Sequence, residues 1–122
     1  MWQVSDDEFS NLVNSSLNEL PKSHTDQLKN VAIIVEFYPT IEQRQKLNLT
    51  DRQTLFGLYE GVPLSKRQGT EKILPDKITL FKVPIEMSVN SLEKLKEQIK
   101  HTVWHEMAHY FGLDHDAIGK LE

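Results

Sequence analysis

One stretch near the C-terminal end constrains this chain more than any other: HEMAHYFGLDH, His105 to His115. His105 and His109 are four positions apart, so on a helix they project from one face about one turn apart, and two imidazoles can then reach a single metal ion. Glu106 follows the first of them. It lies too close to the ligands' backbone to be the natural third ligand, but it can reach a water at an open coordination position and act as a general base. Gly112 suits a left-handed helix cap, after which the chain can turn back and carry His115 toward the same ion. Any fold for this sequence must therefore put a helix through His105 and His109 and break it at Gly112.

The candidate metal ligands are His105, His109 and His115, with Glu106 as the candidate catalytic residue. The sequence has no cysteine, so a transition metal must be held by imidazole or carboxylate, and zinc suits that donor set. Three histidines leave one of zinc's four positions open, which favours a catalytic role over a structural one, since structural sites close all four. Asp114 and Asp116 flank His115. Either can orient a ligand imidazole or donate an oxygen, and Asp116 stands as the alternative third ligand. His101, one turn before His105, would crowd the helix face as a ligand and reads instead as a group beside the substrate or behind a ligand. His24 lies in a polar connecting segment and reads as solvated.

The remainder of the chain supplies a scaffold. A length of 122 residues fits one domain, 1–122, that buries roughly two thirds of its unfolded surface. Ser5 and Glu8 form a capping-box pattern, and Phe9, Leu12, Val13, Leu17 and Leu20 recur at helical spacing, predicting a helix that Pro21 ends. The β-branched run Val31 to Phe37 reads as a buried strand. Thr40 with Gln43 opens a short helix to about Leu47. Thr54 to Gly61 reads as a strand in which Gly57 marks a bulge or a close backbone approach.

Ile78 to Val83 alternates, with Ile78, Leu80 and Lys82 on one side, and Pro84 stops the strand or places it at a sheet edge. From Asn90 or Ser91 the pattern turns helical again, Leu92, Leu95, Ile99, Val103 and Met107 sharing one face. The order implies an α+β fold: a short, mostly antiparallel or mixed sheet packed against a long C-terminal helix that carries the active site.

Charge and composition exclude several partners. A net charge of −4 and the lack of any basic cluster longer than Lys66-Arg67 argue against nucleic acid. The N-terminus lacks a leader pattern and the longest apolar run, Val31 to Val35, is too short to span a bilayer. The expectation is a cytoplasmic protein with no membrane partner.

HEMAHYFGLDH resembles the extended zinc motif of the metzincin metallopeptidases. More broadly, the chain from Phe9 onward resembles the small bacterial zincin-like metallopeptidases, through GLYEGVPL at Gly57 to Leu64, LPDKITLF at Leu74 to Phe81 and the motif helix. The resemblance implies a minimal metzincin-like fold, one zinc ion on His105, His109 and His115, and Glu106 as base. The family's third ligand is similar to either His or Asp. Full-length metzincins continue into a methionine-bearing turn beneath the metal. Here Glu122 follows soon after His115, leaving Met87 to pack under the site or, as the plainer role, in the core.

The function expected from the residues and the resemblance together is hydrolysis of a peptide or small protein, with the Ile78 to Val83 strand aligning an extended substrate by β-addition. Two alternatives share the motif: a non-catalytic binding module clipped by metal, and a hydrolase of non-peptide amides.

Overall fold

The computed structural model describes residues 1–20, 22, 31–47, 55–61 and 76–111. Helix α1 spans Asp6–Asn18. The hydroxyl of Ser5 accepts the Glu8 N–H at 3.1 Å, and Asp6, Asp7 and Glu8 fill the first turn, where the helix dipole favours negative charge. Phe9, Val13 and Leu20 are buried, and Leu12 and Leu17 pack at the margin of the same cluster. The helix ends before Leu20, which is buried all the same.

Strand β1 is Val31–Glu36. Helix α2, Ile41–Lys46, opens with the expected capping box: the Gln43 N–H donates to Thr40 Oγ1 at 3.0 Å and the Thr40 N–H to Gln43 Oε1 at 2.8 Å. Strands β2, Gly57–Glu60, and β3, Asp76–Phe81, complete a three-stranded sheet in the order β1-β3-β2. β1 runs parallel to β3 and β2 antiparallel to it, so the sheet is mixed and the fold is α+β.

Three expectations about the strands are corrected. β3 is the central strand, with Ile78 opposite Ile33 on one side and Tyr59 on the other; its hydrogen-bonding edges are taken, and it cannot align a substrate by β-addition. β1 is half-buried with Ala32 exposed, because among the described residues it pairs on one side only. The third correction concerns Lys82 and Val83, which leave the strand and begin a short helix, α3, Lys82–Met87. Pro84 falls in the first turn of α3, where a missing N–H costs no intrahelical bond.

Lys82 is buried on α3 rather than alternating on a strand. Its Nζ lies 3.1 Å from Glu86 Oε2 and donates to the Val4 carbonyl at 2.7 Å. Glu86 in turn accepts the Val4 N–H at 2.8 Å through Oε2 and the Trp2 N–H at 3.0 Å through its backbone oxygen. A buried ion pair thus fastens the N-terminal segment to α3.

Helix α4, Leu92–Tyr110, starts at Ser91, whose hydroxyl accepts the Lys94 N–H at 3.1 Å. Its buried stripe, Leu95, Ile99, Val103 and Met107, joins Ile78 and Leu80 of β3 and Phe9 and Val13 of α1 in one core cluster. Burial of each such side chain contributes roughly 1.5–3 kcal/mol before entropy is counted. Met107 belongs to this core. Met87 does not, and it does not underlie the motif either: it is 61% exposed at the end of α3, whose inward positions are Lys82, Ile85 and Glu86.

Candidate metal centre

Two stripes share helix α4. Beside the apolar one, Gln98, His101, Thr102, His105, Glu106 and His109 follow one another at short helical intervals and form a continuous polar face. The core fixes the roll of the helix, and the roll presents this polar face along the margin of β2.

The imidazoles of His105 and His109 lie with ring centroids 4.7 Å apart at 68°. One donor atom from each of His105, Glu106 and His109 can be chosen so that all three lie within 4.8 Å of one another. Two nitrogens bound to one zinc ion are separated by at most about 4.2 Å, twice the Zn–N distance. The pair is thus within a small side-chain adjustment of sharing an ion, and in a chain without thiols the donors fit zinc.

Glu106 is 5% exposed and its Oε1 lies 3.2 Å from Nδ1 of His109. That hydrogen bond holds the His109 pKa above its ordinary 6.5; burial opposes the shift and the carboxylate's charge adds to it. When Nδ1 carries its proton toward the carboxylate, Nε2 is the nitrogen left for a metal.

His101 stacks on His105 with centroids 6.4 Å apart and planes 21° from parallel. It is exposed and stands outside the cluster of His105, Glu106 and His109. Gly112, Asp114, His115 and Asp116, and with them the third ligand, lie outside the described residues, as does His24.

A cavity of about 340 Å³ adjoins the cluster, with Leu55, Phe56 and Gly57 on the sheet side and Gln98, His101, Thr102, His105 and Glu106 on the helix side. Gly57 is what permits this closeness. A Cβ there would come 2.7 Å from Thr102 Cγ2, 3.1 Å from Glu106 Cγ and 3.3 Å from the Thr79 carbonyl oxygen, so the strand can meet the helix only without a side chain. The close approach expected of Gly57 is therefore made, and it is made against Thr102 and the glutamate of the motif. Sequence reasoning missed Gln98 and Thr102. Their spacing from His105 placed them on its face, but nothing local said that a cavity would form there.

None of the described helices is long and apolar enough to cross a membrane. Comparison with solved structures gives a likeness to a conserved hypothetical protein from Thermo thermophilus, at a TM-score of 0.61 and 18% identity, covering 97% of this chain and 100% of that one; at that identity the likeness speaks for the fold. Comparison with curated proteins gave no match. Residues 28–122 match the family model described as zincin-like metallopeptidase, a span that takes in β1, the whole sheet, α4 and the motif. With that match over most of its length, the chain belongs to the zincin-like metallopeptidase family.

Proposed function

We propose that this protein is a zinc-dependent peptidase acting in the cytoplasm on peptides or small proteins, with His105, His109 and His115 holding one zinc ion and Glu106 as general base. The observation that carries the reading is the placement of Glu106: a carboxylate buried to 5% exposure, in reach of two imidazoles and facing a cavity. Bound there, zinc supplies Lewis acidity, which lowers the pKa of a water toward about 7 and polarises a carbonyl.

The chain's own groups do the remainder. Glu106 Oε1 releases Nδ1 of His109 and takes the proton of the attacking water, then returns it to the leaving amine. His109 has ordered the carboxylate until then, so the base starts close to its working position. Gly57 and Thr102 wall one flank of Glu106 and limit how far it can swing. Alignment of an extended substrate falls to β2 rather than β3, because β2 is an edge strand among the described residues and borders α4.

The test is metal content and hydrolysis on the same preparations. The parent should bind one zinc per chain and cleave members of a mixed peptide library, His105→Ala and His109→Ala should lose zinc, and Glu106→Gln should keep zinc while losing cleavage by a factor of roughly 10² or more. Cleavage by Glu106→Gln at the parental rate removes the base assignment.

A further inference from the structure

The cavity beside Glu106 has a chemistry of its own. Its sheet side is apolar, Leu55, Phe56 and Gly57, while its helix side carries Gln98, His101 and Thr102 next to His105 and Glu106. The Thr102 hydroxyl is already engaged: Oγ1 donates to the Gln98 carbonyl at 2.8 Å and accepts from Gln98 Nε2 at 3.1 Å. That pairing turns the Thr102 hydroxyl to Gln98 and leaves its methyl packed against Gly57 in the cavity wall, and it orients the Gln98 amide. Gln98 keeps an Oε1 acceptor and a second N–H, and the exposed imidazole of His101 stands one turn away along the helix.

We propose that Gln98 and His101 are specificity-determining residues, and that this recess receives a substrate side chain with an apolar stem and a neutral carboxamide tip, the side chain of glutamine. The inference rests on the peptidase reading, since a peptide reacting at Glu106 would lay a neighbouring side chain in the recess that Glu106 itself lines. The stem packs against Leu55, Phe56 and the Thr102 methyl. The tip both donates and accepts, matching a rim that does the same. A carboxylate can accept from the second Gln98 N–H but has no proton for Gln98 Oε1, and it would stand beside the like charge of Glu106, which lines the same recess. A thioether of equal length fills the volume but forgoes the hydrogen bonds that a carboxamide makes with the Gln98 amide.

The experiment measures binding to zinc-loaded full-length protein by amide NMR, with the N-acetyl methylamides of glutamine, methionine and glutamate as probes. The glutamine probe should bind roughly fivefold or more tightly than either of the others, about one hydrogen bond's worth, and shift the amides around Gln98 to Thr102. In a Gln98→Leu, His101→Phe double variant the order should invert in favour of methionine. Equal or tighter binding of the methionine or glutamate probe to the parent, an unchanged order in the variant, or no saturable binding of any probe overturns the proposal. Hydrolysis is scored separately: glutamine-selective binding without cleavage of any library peptide supports the subsite and sinks the peptidase, whereas cleavage indifferent to glutamine beside the scissile bond sinks the subsite alone.

Discussion

The α-carbon of Gly57 faces Glu106 so closely that a single added methyl group would stand 3.1 Å from the glutamate's Cγ and 2.7 Å from Thr102 Cγ2. Strand β2 and helix α4 therefore meet at the candidate catalytic residue itself. The position of the carboxylate depends on a residue distant in sequence that has no side chain.

Gly57→Ala should cost about 1–3 kcal/mol of stability, the usual range for overpacking, and should lower hydrolysis more than it lowers zinc content. Thr102→Ser removes the nearer clash and keeps the hydroxyl that bonds Gln98. The double variant should therefore recover part of the melting temperature lost by Gly57→Ala alone, as read by thermal denaturation; strict additivity of the two changes would argue against a direct contact.

In the metal-free protein, His109 should titrate above 6.5, because the hydrogen bond to Glu106 favours its protonated form. A folded-state pKa raised above the unfolded one contributes stability that is fully present below the unfolded value, about 6.5, and is lost as pH rises through the folded one. NMR titration of the imidazole resonances checks the shift, and Glu106→Gln should lower the midpoint. A midpoint unmoved by that substitution would mean the bond is not formed in solution.

Chelation should abolish hydrolysis and leave the fold standing. The core of Phe9, Ile78, Leu80, Leu95, Ile99 and Val103 is built from α1, β3 and α4, and neither His105 nor His109 belongs to it. Far-UV circular dichroism should change little on removal of zinc, with a lowered melting temperature as bound ligand is withdrawn. Cooperative unfolding on chelation would instead favour a binding module clipped together by metal.

Lys82 and Glu86 lie away from this chemistry and should matter for stability alone. Glu86→Gln leaves a buried ammonium with a weaker partner, and Lys82→Met leaves a buried carboxylate; losing one member of such a pair costs about 3–5 kcal/mol. Replacing both, as Lys82→Met with Glu86→Leu, should cost less than either alone when measured by urea denaturation, because no uncompensated charge remains.

Much of the candidate site was legible because its determinants are local. Capping residues Ser5, Thr40 and Ser91 begin helices where the sequence places them, and a spacing of four brings His105 and His109 together by helical geometry alone. The apolar stripe from Leu95 to Met107 likewise foretold which face of α4 would be buried. The errors came where a residue's state depends on partners far along the chain. Alternation suggested that Lys82 continued a strand, but its ammonium finds Glu86 one turn ahead and Val4 at the other end of the sequence, and those contacts favour a helix. Met87 was a reasonable buried methionine until α3 turned Ile85 and Glu86 inward instead.

By itself, then, the sequence determined the motif helix, its two imidazoles and the glutamate between them, since periodicity along one helix needs no tertiary partner. Only the tertiary structure decided that β3 is central and β2 lies beside the helix, that Gly57 presses on Glu106, and that Gln98, His101 and Thr102 face a cavity. Strand order and cavity shape arise from which surfaces bury one another, and no local pattern encodes that choice.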